Sequence, residues 1–286
     1  MARREAETEL GGDEVTESVF TGVVDVLGRE IASGTLVAGA VLNLTQLESR
    51  FGVSRTVARE AMRQLQALGM ITARRRVGLI VGPQSRWDVL NPLVIRWRLD
   101  SPGRNQQLYS LTDLRAAIEP TAARLAASEA TPEERARLLE LAERLVTLGR
   151  QRRGDQPEYL ATDVEYHRLL LRASHNEMLI ACEPAVEAVL VGRNKLGLTP
   201  RDPDPLVLED HRGVATAVAA GDGDLAEETL RRVVRLIRGE LPGVRGNRPP
   251  RSPDAQPPSA RQVSGDAAGA AVGTAAATGR AAPGAL

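Results

Sequence analysis

The tripeptide Gly52-Val53-Ser54 constrains this chain more than any other stretch. A glycine reverses the backbone at little steric cost, and serine is a preferred helix N-cap. Before it, Thr45 to Phe51 reads as a short helix; after it, a second helix runs to about Leu68. Val57 stands three residues beyond the cap, so the reciprocal glutamate of a capping box is missing. In the second helix Ala58, Ala61, Met62, Leu65 and Leu68 recur at helical spacing, while Arg55, Arg59 and Arg63 fall four apart on another face. Guanidiniums displayed side by side repel one another unless something anionic lies opposite. The arginine fork also matches guanine O6 and N7 in a major groove. Met70 to Ala73 then reads as a strand, Arg74-Arg75-Arg76 follows, Val77-Gly78 reads as a turn, and Leu79 to Val81 reads as the returning strand. A basic hairpin placed there is a wing, suited to phosphates or a minor groove.

From Thr45 to Gly82 seven arginines stand against two glutamates, a net +5 in a chain that is neutral overall, so the remainder carries −5. That asymmetry suggests a basic binding head on an acidic body. The plainer reading is a helical subdomain with a solvated charged face, but turn, cap, arginine spacing and wing arrive together in the order a duplex reader needs. FGVSRTVAREAMRQLQALGMI, followed by RRRVG, resembles the winged helix-turn-helix of the GntR family of bacterial transcription regulators, and of its FadR type in particular. The resemblance implies that Arg55, Thr56 and Arg59 read bases and phosphates and that Gly78 is the wing-tip turn. Arg63, Arg74, Arg75 and Arg76 join that face by position. One departure is visible: a Glu-Arg pair often opens the family's first helix, and Leu44-Thr45 stands here.

With 42% hydrophobic but only 2% aromatic residues, the core must be Leu, Val, Ala and Ile on helices. No apolar run approaches a membrane span, and the N-terminus lacks an apolar signal segment. A single cysteine, Cys182, excludes an intramolecular disulfide and fits a reducing cytoplasm. The expected fold is mainly α. Residues 1–14 read as disordered, 15–82 as the winged head, 83–104 as a linker, 105–242 as an all-α bundle, and the Ala/Pro/Gly-rich 243–286 as a disordered tail. A first helix over about Thr16 to Ser33 lines Val19, Val23, Val24, Leu27 and Ile31 on one side, and Leu36 to Asn43 is a short connection. In the linker, Trp87, Leu90, Val94 and Trp97 form either an anchor that docks the head or simple core packing. SRWDVLNPLVIRWRLD resembles the linker of FadR-type regulators of sugar-acid catabolism, of the galactonate-operon kind. Six body helices are expected, among them Gln106–Glu129 interrupted at Pro120 and one unbroken Met178–Lys195.

Chemistry concentrates on the body's histidines. Asp163 and His167 stand four apart on one helix, and His211 shares a face with Val207, Leu208, Val214 and Val218. Polar groups aimed into an apolar core need partners. A divalent metal would supply them; an Asp–His pair plus a separate core histidine would do so equally. His175, in Ser-His-Asn, reads as a loop residue. DVEYHRLLLRASHN and EDHRGVATAVAAGDGDLAEETLRRVV resemble the FCD effector domain of FadR-type regulators. The resemblance implies a zinc, nickel or manganese ion held by Asp163, His167 and His211 at the floor of a ligand pocket, with Val233 where a fourth ligand usually stands. It also brings Arg115 and Glu119 to that pocket, where spacing alone reads as a surface ion pair, and Arg193 and Asn194 are further effector contacts. The expected function is a homodimeric regulator on a palindromic operator, released by a small organic acid such as a sugar acid. The rival classes are a metal-dependent enzyme built on Asp163, His167 and His211, and an unspecific nucleoid protein.

Overall fold

The computed structural model describes residues 19–241; the expectations for 1–14, for the start of the first helix and for 243–286 lie outside them. Helix α1 (19–33) buries Val23, Val24, Leu27 and Ile31, but Val19 is 41% exposed and leaves the expected apolar side. Its end is closed in left-handed fashion at Gly34, where the Leu36 N–H reaches back to the Glu30 carbonyl at 2.9 Å. The next helix, α2 (Leu44–Phe51), starts under an Asn43 cap whose side chain accepts the Thr45 N–H at 2.9 Å. Gly52, at φ 64°, ends it, and Ser54 accepts the Val57 N–H at 3.3 Å to open α3 (Arg55–Ala67). The turn chemistry read from these residues is therefore what the backbone uses.

Strands β2 (Ile71–Arg74) and β3 (Gly78–Val81) form the wing hairpin. A third strand, β1 (Val41–Leu42), pairs with β3 in what was read as a plain connection, giving the antiparallel order β1-β3-β2. Two residues are too short to show alternation, so nothing in their pattern announces a strand. The wing turn is also shifted from the expected Val77-Gly78. Arg74 pairs with Gly78, the Val77 N–H bonds the Arg74 carbonyl at 3.1 Å, and Arg76 takes the positive φ of 65°.

Helix α4 (Pro92–Leu99) ties head to body. Val94 and Trp97 belong to the head's core with Val24, Leu27 and Leu65. Ile95 and Leu99 belong to a different core with Leu108, Val189 and Leu241. The Trp97 ring lies over Gly28, where a Cβ would fall 2.6 Å from it, and its indole N–H donates to Asp25 at 2.9 Å. Arg96 pairs with the same carboxylate. Of the four expected anchor residues Trp97 and Val94 are buried, Trp87 is half-buried, and Leu90 is 49% exposed. Anchor and core packing are thus one contact.

The body is a bundle of α5 (Arg104–Glu129), α6 (Pro132–Arg150), α7 (Pro157–Arg172), α8 (Glu177–Ile180), α9 (Glu183–Lys195), α10 (Pro205–Ala220) and α11 (Gly223–Glu240). α5 runs unbroken through Pro120, and α6 opens on a full capping box between Thr131 and Glu134. The expected Met178–Lys195 helix is two helices. Pro184 has no N–H to donate to the preceding turn, so α9 restarts from Cys182. α11 packs on α5, α10 on α6 and α11, and α7 on α6 and α9.

Trp97→Ala is expected to lower stability by about 3–5 kcal/mol, the cost of emptying a fully buried aromatic site. Urea denaturation measures it; an unchanged midpoint would mean that α4 is not pinned through this ring.

Candidate functional site

Two sets of side chains stand out, one on the head's surface and one inside the body. On α3 the side chains of Arg55, Thr56, Arg59 and Arg63 are exposed, as are Arg74, Arg75, Arg76 and Gly78 on the wing. Burial of Ala58, Ala61, Met62 and Leu65 fixes which face α3 presents. Arg55 lies 3.5 Å from the half-buried Glu48, and Arg63 bonds Glu60 at 2.5 Å; both guanidiniums stay mostly in solvent, which keeps the pairs weak. Arg59 and the three wing arginines have no ion-pair partner among the described residues. Arg50, counted with the basic face, is instead structural: it donates to Glu30 of α1 at 2.9 Å and lies over the Phe51 ring.

Inside the body, α5, α7, α9 and α10 bring a polar cluster together. Asp163 Oδ1 stands 3.5 Å from His167 Nε2 and 3.8 Å from His211 Nε2, and the two imidazole centroids are 5.5 Å apart. His211 is therefore not a separate core histidine. Its Nδ1–H donates to the Val207 carbonyl at 2.6 Å, which leaves the Nε2 lone pair facing inward, buried and without a partner. Burial, then the charge near His167, lowers the His211 pKa and keeps the ring neutral. Burial pushes Asp163 upward, but the His167 contact and the positive charge of Arg115 hold it at about 2. An ionised oxygen and a neutral imidazole lone pair thus face each other with no proton between them. That donor set fits a cation, and Asp163, His167 and His211 offer ligand atoms within 4.8 Å of one another. Val233 is buried in the main apolar core and adds no donor.

Tyr166 escaped the sequence reading. Its hydroxyl donates to the His211 carbonyl at 3.0 Å, and its ring meets both imidazoles edge-on at 5.3 Å. An aromatic at core spacing gives no hint of this role. Arg115 and Glu119 are not a surface pair: Arg115 is 1% exposed and Glu119 wholly buried. Arg115 Nε and Nη2 donate to the two Glu119 oxygens at 2.8 and 3.1 Å, and Nη2 lies 3.1 Å from His167 Nε2. Burial works against the charge of Arg115, and Glu119 more than offsets it. Its fork is therefore already occupied.

Arg193 is also buried, and its Nη2 donates to Glu240 at 3.2 Å and to the Leu198 carbonyl at 3.4 Å. Its Nε–H has no partner among the described residues. Arg193 lines a cavity of about 40 Å³ with Tyr159, Asp163, His211 and Glu240. Asn194 is half-buried and does not line it, because one residue along a helix turns the side chain away by about 100°. His175 sits in the α7–α8 loop, as expected, 2.9 Å from Glu134. An apolar groove of about 330 Å³ between α4 and α9 is roomier, but two buried, unpartnered polar atoms, Arg193 Nε and His211 Nε2, belong to residues lining the smaller cavity; Glu48 Oε1 and Gln107 Oε1 are the others among the described residues.

The model for bacterial regulatory proteins of the gntR family matches residues 21–81, and the FCD domain model matches residues 110–236. The probable D-xylose utilization operon transcriptional repressor of Paenarthrobacter nicotinovorans is 30% identical over 216 residues, covering 74% of this chain and 84% of that protein. The chain belongs to the GntR family of bacterial regulatory proteins. The galactonate operon transcriptional repressor of Escherichia coli (strain K12) is 27% identical over 210 residues, covering 72% of this chain and 89% of that repressor. The solved structure of Lar, which controls expression of the Listeria monocytogenes agr system, shares the fold at TM-score 0.50 and 17% identity, covering 78% of this chain and 95% of that one. As a GntR-family member with an FCD domain, this is a transcription regulator that binds DNA. Among the described residues no helix is long and apolar enough to cross a membrane.

Arg115→Met leaves the Glu119 carboxylate buried without its cation, so the GntR chain is expected to lose about 3–5 kcal/mol of stability. Arg115→Met combined with Glu119→Leu is expected to recover most of it. Chemical denaturation checks both; equal loss in the single and double variants would show that the two residues do not act as a pair.

Proposed function

We propose that this regulator is a repressor of a carbohydrate-acid catabolic operon, released from DNA by a small organic acid. The observation that carries the DNA half is a row of exposed arginines on a capped helix beside three consecutive wing arginines, four of them without partners among the described residues. A duplex supplies the missing anions. On this reading α3 enters a major groove, where Arg55, Thr56, Arg59 and Arg63 meet bases and phosphates, while Arg74, Arg75, Arg76 and Gly78 set the wing against the backbone. Two copies pair through their bodies, and their two-fold symmetry matches a palindromic operator.

The second half rests on the body's polar cluster. Asp163, His167 and His211 would hold one divalent ion, zinc, nickel or manganese, and Arg115 and Glu119 wall it from behind. When bound, such an ion supplies a positive coordination point for ligand oxygens. His211 is pre-oriented for it by the Val207 carbonyl, and Asp163 is held ionised. The operons named for the Escherichia coli and Paenarthrobacter relatives, galactonate and D-xylose utilization, support a sugar-derived acid as effector. The relatives are transcription regulators, which leaves the enzyme reading of the same three residues without independent support.

On an operator selected from random duplexes, Arg59→Ala is expected to cost about 1–3 kcal/mol and to flatten base preference. Fluorescence anisotropy measures both, and an equal loss on random DNA would reduce Arg59 to a phosphate contact. Elemental analysis of the purified chain is expected to find about one divalent ion per protomer, lost in His211→Ala. Metal-free wild-type protein after growth in supplemented medium would remove the ion from this reading.

A further inference from the structure

The two buried arginines of the body invite comparison. In Arg115 the Nε–Nη2 edge of the guanidinium is filled by both oxygens of Glu119, at 2.8 and 3.1 Å. In Arg193 the same edge is half filled: Nη2 donates to Glu240 at 3.2 Å, and Nε–H, buried, has no acceptor. A buried donor without an acceptor is costly, and a carboxylate is the group that takes both donors of that edge at once. Arg193 faces the cavity that Asp163 and His211 also line, so the vacant edge stands beside the polar cluster.

Glu240 is a weak holder of that edge. It ends α11, its side chain is 41% exposed, and it reaches a single nitrogen. Burial, together with the charge of Asp204, pushes its carboxyl upward against the pull of Arg193. Space points the same way. A cavity of about 40 Å³ holds only a few waters, at about 10–15 Å³ each by the same measure, so a multi-carbon acid enters only if a wall moves. Asp204 and Glu240 are the exposed polar pieces of that wall, and of the two Glu240 is the one that holds Arg193.

We propose that Arg193 is the carboxylate receptor of the bundle and that Glu240 is its built-in placeholder, displaced when a small hydroxy acid binds. This rests on the reading of the body as an organic-acid receptor. The ligand's carboxylate takes Nε and Nη2 of Arg193, and its hydroxyls point toward Asp163 and His211. Displacement also has a consequence for the head. Glu240 is followed by Leu241, which is buried against Ile95 and Leu99 of α4. Moving Glu240 off Arg193 therefore disturbs the seat of the helix that carries Trp97.

The test is isothermal titration calorimetry on the full chain with D-galactonate and L-lactate, and with D-galactose as the uncharged control. Glu240→Gln is expected to tighten binding of at least one of the two acids by about two- to fivefold, the worth of a half-exposed ion pair, and to leave D-galactose unchanged. Arg193→Gln is expected to abolish acid binding, and the double variant to bind no better than Arg193→Gln. Because Glu240 lies at a solvent-facing helix end, Glu240→Gln decides the matter even if Arg193→Gln folds poorly. If an acid binds the wild type and releases operator DNA while Glu240→Gln binds it no tighter, the placeholder falls and the regulator reading stands. If neither acid binds wild type or Glu240→Gln, the receptor assignment falls as well.

Discussion

One short helix holds two hydrophobic cores together, and both its faces are committed. Val94 and Trp97 enter the head; Ile95 and Leu99 enter the body. With about 3.6 residues per turn, these pairs lie about 150° apart on the same cylinder, so neither can be re-sorted without rotating the whole element. Trp97 leaves no slack on the head side, because Gly28 is the one residue type whose backbone can approach the indole so closely. Close-packed interiors pass a displacement on instead of absorbing it. Any change in how the body seats Ile95 or Leu99 must therefore appear as a change in how α1, and α3 behind it, are carried.

The body's polar cluster divides by how completely its charges are matched. On the α5 side, Arg115 and Glu119 satisfy each other in full, and their burial makes sense as architecture: they fix the rear wall and pin His167. On the α9 side the matching is incomplete. Arg193 has a donor to spare, His211 has a lone pair to spare, and Asp163 lies between them. Arg193 and His211 keep unmet hydrogen-bonding capacity beside a cavity, while the same chemistry is satisfied nearby at Arg115 and Glu119, so the capacity is there for something else.

The elements that could be read from residues are those whose signals are local. Gly52, Ser54 and the Thr131-Pro132 start each act within one turn of helix, and the structure uses each as read. The features that could not be read depend on what lies across space. β1 is a strand only because β3 passes beside it. The Arg115–Glu119 spacing is the same on a surface as in a core, and α5 alone does not say which. Tyr166 at core spacing looks like any packing aromatic until the His211 carbonyl is found above its hydroxyl. Val19 fits an apolar pattern and is exposed, since helical period places a residue on a face but not under a neighbour, and Leu90 is exposed because it falls in the turn before α4. Asp163, His167 and His211 fall between: the sequence offers the types and spacing on two separate helices, and the resemblance to FCD domains joins them.

Magnitudes limit how the proposed switch can work. Reversing a two-state equilibrium from 1:99 to 99:1 takes about 5.5 kcal/mol of differential affinity. The Arg193–Glu240 pair, open to solvent on its Glu240 side, is worth only about 0.2–1 kcal/mol, so its loss alone cannot drive such a reversal. The larger share has to come from contacts the ligand makes only in the opened arrangement, and the atoms available for them are the inward lone pair of His211, the Asp163 oxygens and the Arg193 Nε–H. A weak latch in front of strong, unmet hydrogen-bonding capacity has a useful consequence. Water and small anions gain too little to hold it open, while a ligand long enough to reach from Arg193 to His211 gains at both ends. Length and hydroxyl placement, more than charge, then set which acid the regulator answers to.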